Sequence, residues 1–473
     1  MDFVLVNPPL RPEDLYHNLS EGGSELPPLG ICSIAAILRE GGYSAAVVDA
    51  MALRLDSSKT VEQVRRLRPK YVGISTTTMS VSTAAEVAHL CKKEGVTTIL
   101  GGPHVTAVPE ETFLRYPQFD IGVIGEGEDT VLELAHALEA GKDLAEVPGL
   151  LLRRSNKLQL TPPRPFIKDL DKIPLPAWDL LPDIATHYQP AADSLYRFPA
   201  SSLVTSRGCS GKCVFCDQKV FGGSCRAFSA DYVIRMMKVL RDRFGIRDLF
   251  IHDDNFLMFY KRTQEICRLI ISENIDITWS CLGRTDQVDW SILPLMKKAG
   301  CWQINYGLES GSQEILDLIV KGTTIEAMTE AVRRTREAGI RVKGLFMIGC
   351  FGETRETIAA TNRYIKSLDL DDFHMTCFTP LPGSRAFSIA HTYGDFDPNW
   401  DKMNMFSAES FIPHGFTRQE IERAYRRAYR IFYFRPRIVL YYLAKFNSWA
   451  MAKKLLRSAW ALIRFTAKKV ITE

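Results

Sequence analysis

The first 140 residues alternate short, wholly apolar runs with stretches in which apolar residues recur every three or four positions. The apolar runs predict five strands, at residues 3–6, 45–48, 71–75, 97–100 and 121–125. Helical periodicity falls between and after them, at residues 28–41, 59–68, 81–94, 109–116 and 128–140. Because strands that are apolar on both sides must be covered on both sides, the pattern predicts an α/β fold with a five-stranded, doubly wound parallel sheet. Such sheets bind ligands at the carboxyl ends of their strands.

A second strand–helix series follows a proline-rich segment, residues 146–198, which lacks a sustained period and predicts a connector. Six further apolar runs predict strands at 201–206, 248–253, 277–283, 302–309, 341–349 and 373–378. Six strand–helix units predict a partial barrel, with chemistry on the loops that follow the strands. The predicted organisation is a first domain (1–145), a connector (146–198), a partial barrel (199–422) and a helical tail (423–473).

Polar and glycine-rich turns follow the strands of the first domain. They include "STTT", which begins with Ser75, Thr76 and Thr77, "GGPH", with Gly101, Gly102 and His104, and "GEGE", with Gly125, Glu126, Gly127 and Glu128. Glycine permits close approach of the backbone to a ligand, and hydroxyls offer hydrogen bonds, so these turns suit a polar cofactor edge. Ordinary turns select the same residue types, so the turns alone leave the ligand open.

Composition and charge point to a cytoplasmic globular protein. Apolar residues make up 46% and charged residues 24% of the chain, and no apolar run approaches the roughly 18 residues that span a bilayer. The opening "MDFVLVNPPL" has neither the basic flank nor the apolar core of a signal peptide. The net charge of +4 conceals a basic tail, because residues 423–473 hold thirteen Lys or Arg and one acidic residue.

Three of the eleven cysteines, Cys209, Cys213 and Cys216, form a C-x3-C-x2-C run in "SRGCSGKCVFCDQ". A disulfide is disfavoured in a reducing compartment. A structural zinc ion would need a fourth ligand, for which Cys225 is a candidate. An iron–sulfur cluster held by three thiolates would leave one iron open to an external ligand. The position directly after the first barrel strand favours the open site.

The run also resembles the signature loop of the radical S-adenosylmethionine (SAM) enzymes, with the aromatic Phe215 before the last cysteine. Five later segments are similar to that family in the same order. They are "IHDDNF" (251–256), "GRTD" (283–286), "YGLESGSQEILDLIVKGTT" (306–324), "MIGCFGET" (347–354) and "TPLPGS" (379–384). One departure is Cys350-Phe351, where relatives usually have Leu-Pro, and we expect the missing proline to loosen that turn without removing its backbone contacts.

The resemblance implies a 4Fe–4S cluster on the three cysteines, with SAM chelating the fourth iron. Reductive cleavage of SAM would release a 5′-deoxyadenosyl radical, which abstracts hydrogen from an unactivated carbon. Asp253 or Asp254 would approach the SAM amino group, Arg284 its carboxylate, and Glu309 or Ser310 its ribose or carboxylate edge. For Asp254 and Glu309 a purely structural role, as a cap or a strand-end salt bridge, stays open.

The first domain then resembles the cobalamin-binding domain that precedes the barrel in one branch of this family. The similar segments are "PPLGICSIAAILREGGY" (27–43), "GGPHVTAVPEET" (101–112) and "GEGEDT" (125–130). Many such domains carry a D-x-H-x-x-G motif whose histidine coordinates cobalt, whereas here the stretch begins at Asp49 and has Met51 at the histidine position. The resemblance therefore implies cobalamin without a histidine ligand, and His104 is expected to form hydrogen bonds near the corrin. Coordination by His104, or a domain that binds nothing, remain alternatives.

The tail combines basic and apolar residues at helical spacing. Its apolar stripe is Trp449, Ala452, Leu456, Ala459, Ile463, Ala467 and Val470, with Lys453, Lys454, Arg457, Arg464, Lys468 and Lys469 falling largely elsewhere around the helix. This pattern predicts peripheral contact with the inner face of a membrane. A helix packed on the barrel with a solvated basic face is the alternative. Nucleic acid is not expected as a partner.

These observations predict a radical SAM enzyme that methylates an unactivated carbon of a small-molecule or lipid-like substrate, with methylcobalamin supplying the methyl group. A reducing partner such as flavodoxin or ferredoxin would deliver electrons. An oxidative or ring-forming enzyme with the same cofactors is the alternative, because the layout also resembles the anaerobic cyclase of Mg-protoporphyrin monomethyl ester. A non-catalytic zinc-binding scaffold is a remote alternative.

Overall fold

The first sheet contains the five strands that the apolar runs predict. They are β1 (Phe3–Asn7), β2 (Ala45–Asp49), β3 (Tyr71–Ser75), β4 (Thr97–Gly101) and β5 (Ile121–Val123). Neighbours among them pair in parallel, in the order β2-β1-β3-β4-β5. The computed structural model describes residues 1–17, 23–154, 157–188, 190–191, 194–444 and 449–467. Lys468, Lys469 and Val470 of the predicted basic helix lie outside the described residues.

Two antiparallel strands extend this sheet beyond the prediction. β6 (Leu150–Arg154) pairs with β5, and β7 (Lys157–Leu160) pairs with β6. Both fall in the segment that the sequence assigns wholly to the connector, so that assignment is corrected for residues 150–160. The reason is that β7 is a short edge strand with exposed Lys157 and Gln159, and it lacks the apolar run that marks the buried strands.

Helices cover both faces of the first sheet, as predicted. They are α1 (Pro12–Tyr16), α2 (Leu29–Glu40), α3 (Ser57–Leu67), α4 (Val81–Lys93), α5 (Pro103–Ala107), α6 (Pro109–Arg115) and α7 (Glu128–Glu139). Ile31 of α2 and Leu134 of α7 pack with one face of the sheet. Val64 of α3 and Val87 of α4 pack with the other. The sheet is therefore a central layer with its strand ends free at one edge.

The second sheet contains the six predicted parallel strands. They are β8 (Ala200–Leu203), β11 (Asp248–Ile251), β12 (Thr278–Gly283), β13 (Cys301–Glu309), β14 (Arg341–Ile348) and β15 (Asp372–Cys377). Their order is β15-β14-β13-β12-β11-β8, so β8 and β15 are the two edges of an open, partial barrel. Two short antiparallel pairs accompany it: β9 (Ser206–Arg207) with β10 (Arg226–Ala227), and β16 (Gly394–Phe396) with β17 (Phe411–Pro413).

The helices of this half are α8 (Ile184–His187), α9 (Ala230–Phe244), α10 (Tyr260–Ser272), α11 (Leu293–Lys298), α12 (Gln313–Leu318), α13 (Ile325–Glu337), α14 (Arg355–Ser367) and α15 (Arg385–Ile389). Local chemistry sets several of their ends. Ser229 caps α9 by accepting a hydrogen bond from Tyr232 N, and Gly245 ends the helix with φ 69°. Thr354 begins α14 in a reciprocal capping arrangement with Thr357.

The alternation along β14 distinguishes the outside of the barrel from its lumen. Phe346 is buried and its ring contacts Tyr364 of α14, so this side of the strand faces the helices. Leu345 and Met347 are half-buried and point the opposite way, into the lumen. Their register partners on β15 are His374 and Thr376, which are also half-buried. This part of the lumen wall therefore carries two apolar side chains, one imidazole and one hydroxyl.

The tail is helical, with α16 (Arg418–Tyr433), α17 (Pro436–Ala444) and α18 (Trp449–Ala467). α16 packs on the edge strand β15, where Phe432 stacks on Phe373 at 5.2 Å between ring centroids. α18 packs on α16 through Phe465, whose ring meets Tyr425 and Tyr429 edge-on. In the described part of the chain, no helix is both long enough and apolar enough to cross a bilayer.

Candidate functional site

The three cysteines lie on a loop that is closed at its base by the β9–β10 pair. Arg207 pairs with Arg226 in this short ladder, so residues 208–225 form one excursion at the carboxyl end of β8. Gly208 has φ 86°, and a side chain there would bring Cβ within 2.6 Å of Ser224 O. The turn into the loop therefore requires glycine at residue 208.

Within the loop, the sulfurs have polar neighbours. Cys209 Sγ accepts a hydrogen bond from Gly211 N at 3.4 Å, and Cys213 Sγ accepts one from Arg284 Nη1 at 3.5 Å. Cys216 is exposed, and all eleven cysteines of the chain carry free thiols. Among the residues that the structure describes, no three His, Cys, Asp or Glu side chains are gathered at the spacing of a bound ion. The donor set of three thiols from one loop, with N–H donors to sulfur, fits an iron–sulfur cluster.

Two further residues singled out from the sequence, Phe215 and Cys225, also lie in the cysteine loop. Phe215 is half-buried and packs against the barrel core, so it fixes the chain just before Cys216. Cys225, the candidate fourth ligand for zinc, lies at the base of the loop with Sγ 3.9 Å from Gly223 O.

The two aspartates after β11 have different surroundings. Asp253 accepts hydrogen bonds from Thr205 N at 2.5 Å and from the hydroxyls of Thr205 and Ser206 at 2.6 Å, so it ties β11 to the end of β8. Asp254 accepts from Gly208 N at 3.0 Å and so faces the cysteine loop. Burial, with the charge of Asp253, raises the pKa of Asp254 above its ordinary value. Of the two, Asp254 is the one that borders the loop.

Arg284 follows β12 and joins three segments. Its guanidinium donates to both carboxylate oxygens of Asp286, to Lys321 O at 2.5 Å and to Cys213 Sγ. Burial works against the charge, but Asp286 outweighs it and raises the pKa of Arg284. A fixed cation therefore lies beside the thiols, where it could bind a carboxylate.

Glu309 and Ser310 end β13 in a strained turn. Glu309 has φ 59°, and its carboxylate accepts from Lys321 Nζ at 2.6 Å with both side chains buried. Ser310 Oγ lies 3.1 Å from Thr361 Oγ1 and accepts from Ser312 N. Both side chains thus have protein partners at the rim of the barrel, and Lys321 links Glu309 to Arg284 through its own backbone.

The turn after β14, where the usual proline is missing, keeps its backbone contacts and has aromatic packing, and its looseness relative to relatives stays a prediction. Phe351 is buried and stacks on Tyr393 with 4.4 Å between ring centroids. Glu353 accepts hydrogen bonds from Gly349 N and Cys350 N, and burial raises its pKa to about 6. Aromatic packing is therefore present in this turn where relatives usually have proline.

At the edge of the first sheet, two of the predicted turns, "STTT" and "GGPH", meet. Thr76 N donates to Gly101 O, and a Cβ at Gly102, which has φ 98°, would lie 2.6 Å from Thr76 N. His104 N donates to Thr76 O, and its Nδ1 lies 3.1 Å from Thr78 Oγ1. Ser75 is half-buried at the end of β3, and Thr77 caps the turn that follows it.

His104 itself is buried under Trp400, which belongs to the barrel half, with 4.4 Å between ring centroids. Burial and the nearby Arg115 lower the pKa of His104 to about 4, so the ring is neutral. The Nδ1 contact with Thr78 and the cover of Trp400 suit the hydrogen-bonding role, while Nε2 is buried without a hydrogen-bond partner in the described structure.

Asp49 is also committed to protein partners. It accepts from Asn7 Nδ2 at 2.8 Å and from Tyr188 OH at 2.8 Å, and its side chain is buried. Met51, two residues on, is half-buried just beyond β2. The first sheet therefore offers no imidazole at this position.

The turn after β5 holds Gly125, with φ 81°, and Gly127, where a Cβ would lie 2.9 Å from Ile34. Glu126 and Glu128 turn toward the barrel and pair with Arg207 and Arg226.

The carboxyl edge of the first sheet lies opposite the barrel mouth. Lys219 Nζ of the cysteine loop donates to Ala107 O of the first domain at 2.7 Å. Gly383, after β15, has φ 89°, and a Cβ there would lie 2.7 Å from Asp217 Cγ and 2.8 Å from Ala107 Cβ. First domain, cysteine loop and barrel thus converge on one point.

Several residues of the site were not identified from the sequence. They are Arg207, Arg226, Lys321, Asp286, Trp400 and the lumen residues Leu345, Met347 and His374. The arginines had one signal, their position on either side of the cysteine run. Asp286 and Lys321 lie within segments that the sequence singled out, but spacing does not show which side chains pair, and the others depend on contacts between distant segments.

Comparison with known proteins agrees with both halves of the chain. The family model of the Radical SAM superfamily matches residues 203–365, and that of the B12 binding domain matches residues 18–135. An uncharacterized methyltransferase of Pyrococcus horikoshii is 35% identical over 422 residues, which cover 88% of this chain and 90% of the relative. The anaerobic magnesium-protoporphyrin IX monomethyl ester cyclase of Rubrivivax gelatinosus is 28% identical over 390 residues, 79% of this chain and 68% of the relative.

Among solved structures, the cobalamin-dependent SAM radical enzyme OxsB, with aqua-cobalamin and SAM bound, superimposes with a TM-score of 0.75. The match covers 98% of this chain and 71% of that one, at 17% identity. At this identity the likeness concerns the fold, which agrees with the two-sheet architecture described above.

Proposed function

Because the chain belongs to the cobalamin-binding branch of the radical SAM superfamily, we propose that it methylates an unactivated carbon of a small-molecule substrate. The radical SAM domain implies a 4Fe–4S cluster and SAM, and the B12-binding domain implies cobalamin. The observation that carries the proposal is the contact of the first sheet's carboxyl edge with the cysteine loop, through Lys219 and Ala107. A corrin held on that edge would face the same space as the cluster and SAM.

We propose that Cys209, Cys213 and Cys216 hold the cluster, and that Asp254 and Arg284 receive the amino and carboxylate groups of SAM. When bound, the cluster and SAM would supply a carbon-centred radical, and methylcobalamin would supply a transferable methyl group. The chain's own contribution is positional and electrostatic. Arg284 keeps its charge beside Cys213, and the buried pair of Glu309 with Lys321 fixes the neighbouring rim. The apolar lumen wall around Leu345 and Met347 would exclude water from the reacting carbon.

For cobalamin, the turns at Ser75–Thr77 and Gly101–Gly102, with the glycines of the turn after β5, Gly125 and Gly127, are the proposed cradle. Met51 replaces the histidine of the usual motif, and His104 is covered by Trp400. We therefore expect base-off cobalamin without a histidine ligand. The electron paramagnetic resonance (EPR) spectrum of the Co(II) form should lack nitrogen superhyperfine splitting in the wild type and in His104→Gln alike. Splitting that disappears in His104→Gln would show that His104 is the ligand.

The reaction is tested in anaerobic turnover mixtures supplied with SAM, a reductant and a small-molecule extract of the source cells. Methylation predicts S-adenosylhomocysteine together with 5′-deoxyadenosine, and a product heavier by one methyl group. The alternative, an oxidative cyclase, is favoured by the similarity to the Rubrivivax gelatinosus enzyme and predicts 5′-deoxyadenosine alone. The absence of both nucleosides would contradict either reaction.

Two partners are proposed in addition to the substrate. A flavodoxin or ferredoxin would reduce the cluster. An anionic membrane surface would bind the tail, because Leu440 and Leu443 of α17 and Leu456, Trp460 and Ile463 of α18 are each 47–65% exposed. The apolar stripe predicted for the tail thus faces outward at Leu456 and Ile463, while Ala461 and Phe465 face the protein.

A further inference from the structure

Two arginines and two glutamates form a buried cluster of ion pairs between the first domain and the cysteine loop. Arg207 donates to Glu126 Oε1 at 2.8 Å and to Glu128 Oε1 at 2.5 Å. Arg226 donates to both oxygens of Glu126, at 2.9 and 2.8 Å. All four side chains are only 3–10% exposed. Four charges are therefore held in a nearly dry environment, where their geometry is strongly constrained.

The arginines occupy both arms of the cysteine loop. Arg207 lies two residues before Cys209, and Arg226 is its register partner in the β9–β10 ladder. Each guanidinium also lies over a phenylalanine ring, Arg207 over Phe221 at 5.3 Å and Arg226 over Phe166 at 4.9 Å. Contacts that fix the positions of Arg207 and Arg226 therefore also fix the base of the cysteine loop.

The glutamates belong to the turn between β5 and α7, which the sequence assigned to cobalamin binding. Glu128 also accepts from Ser33 Oγ at 2.9 Å, and Glu126 from Ile167 N at 2.9 Å. Although burial works the other way, Arg207 holds the pKa of Glu128 below its ordinary value, so the carboxylate is ionised. Both carboxylates are thus engaged by protein donors, namely the two arginines of the cysteine loop together with Ser33 of α2 and Ile167 of the connector.

Buried ion pairs of this kind add little to stability in themselves, but losing one partner leaves an uncompensated charge. Their best-attested benefit is to select one arrangement of the parts that they join. Here the parts are the cobalamin-binding sheet and the loop with the cluster ligands. The glycines of the same turn, Gly125 and Gly127, remain the part suited to close approach of a cofactor.

We propose that Glu126 and Glu128 are positioning residues for the iron–sulfur cluster and not contacts to cobalamin. Through Arg207 and Arg226 they fix the base of the cysteine loop on the first domain. The two cofactor sites thereby share one rigid turn. This inference rests on the proposed function, since it requires that the loop carries a cluster.

The test compares Glu126→Gln with the wild type and with Glu133→Gln, a control that removes the ion pair of the exposed Glu133 of α7 with Arg164. After anaerobic reconstitution, iron per chain is measured, as is the change that SAM causes in the EPR spectrum of the reduced cluster. Affinity for hydroxocobalamin is titrated separately. Glu126→Gln should retain about tenfold less iron after dialysis against a chelator and lose the response to SAM. Its affinity for hydroxocobalamin should stay within about twofold of the wild type.

Rescue separates positioning from a general loss of folding. The double variant Glu126→Gln/Arg226→Gln removes both partners of one pair, so it should recover part of the iron and of the response to SAM. Unchanged iron with weakened hydroxocobalamin binding in Glu126→Gln would overturn the proposal in favour of cobalamin contact. Equal loss of all three readouts with a lowered melting temperature and no rescue would also overturn it. If the wild type itself binds no iron, the proposed function fails instead.

Discussion

At the scale of single residues, the role of a polar side chain here depends on whether protein donors already satisfy it. Asp253 and Asp254 are adjacent in sequence, yet Asp253 accepts three bonds from Thr205 and Ser206, which follow β8, and Asp254 accepts one from Gly208. The sequence pattern identified the two aspartates as candidates but could not distinguish their roles. The difference is a matter of which way each carboxylate points, and that is set by long-range packing.

The cysteine loop allows a sharp test of the metal. We expect about four irons per chain in the reconstituted wild type and the same in Cys225→Ala, because Cys225 lies at the loop base. Cys216→Ala should lose most of the iron, since a cluster needs all three thiolates. Iron and sulfide analysis with ultraviolet–visible spectra checks both variants. Zinc in place of iron, lost from Cys225→Ala, would support the scaffold alternative.

His104 should make stability depend on pH. Burial depresses its pKa to about 4 in the fold, against about 6.5 in the unfolded chain, so the unfolded state binds the extra proton. Its contribution is therefore present above pH 6.5 and is lost as the pH falls toward 4. Between pH 7 and pH 5 the wild type should lose about 2 kcal/mol more unfolding free energy than His104→Gln. Urea unfolding at the two pH values measures the difference, and equal losses would contradict the assigned environment.

At the scale of elements, all eleven parallel strands in the described part of the chain could be predicted from the sequence, to within a few residues at each end. Buried parallel strands are apolar on both faces, and the helices between them are amphipathic, so both signals are strong. The apolar run of β6 at residues 150–152 is short and lies in the proline-rich segment, where it was not assigned to a strand, and the edge strand β7 has one exposed side and few apolar residues. The sequence also could not predict which side of α18 packs on the protein, because the predicted apolar stripe and the buried residues Ala461 and Phe465 lie on the same helix.

The exposed face of α18 predicts binding to anionic membranes. Vesicles of equal parts phosphatidylglycerol and phosphatidylcholine should co-sediment with the intact protein. Trp460→Glu/Ile463→Glu should reduce the bound fraction about tenfold or more, because two apolar side chains of about 1.5–3 kcal/mol each are lost from the interface. Point variants leave the packing of α16 on β15 intact.

The matched control is Leu114→Glu, which places a carboxylate at a leucine of α6 that is 71% exposed on the first domain. It should co-sediment as the wild type does. Vesicles of phosphatidylcholine alone should bind weakly, since the exposed Arg457 and Arg464 would have no anionic lipid to contact. Equal binding by the wild type and the double variant would remove the membrane proposal.

At the scale of the whole molecule, the two halves are joined by contacts that differ in kind. Asn404 of the barrel half donates to Asp14 O and Leu15 O of the first domain. Trp400 and Met403 pack with Val81 of α4. With the buried ion pairs and Lys219, these contacts predict that the halves unfold together. None of them could be predicted from the sequence, because each joins segments far apart in the chain.

Calorimetry should accordingly show one unfolding transition for the apoprotein. Hydroxocobalamin at about one hundred times its dissociation constant should stabilise that transition by about 3 kcal/mol and shift it as a unit. Two transitions, of which only one responds to hydroxocobalamin, would mean that the halves are energetically independent.

The contact at Gly383 has a consequence for anyone who builds chimeras from this scaffold. A methyl group on residue 383 would collide with Asp217 of the cysteine loop and with Ala107 of the first domain, so it would push the joined domains apart. A donor domain with a bulkier residue in place of Ala107 would do the same from the opposite direction. Swapped domains will therefore assemble only when residue 383 is glycine and residue 107 is alanine, however well the remaining sequence is matched.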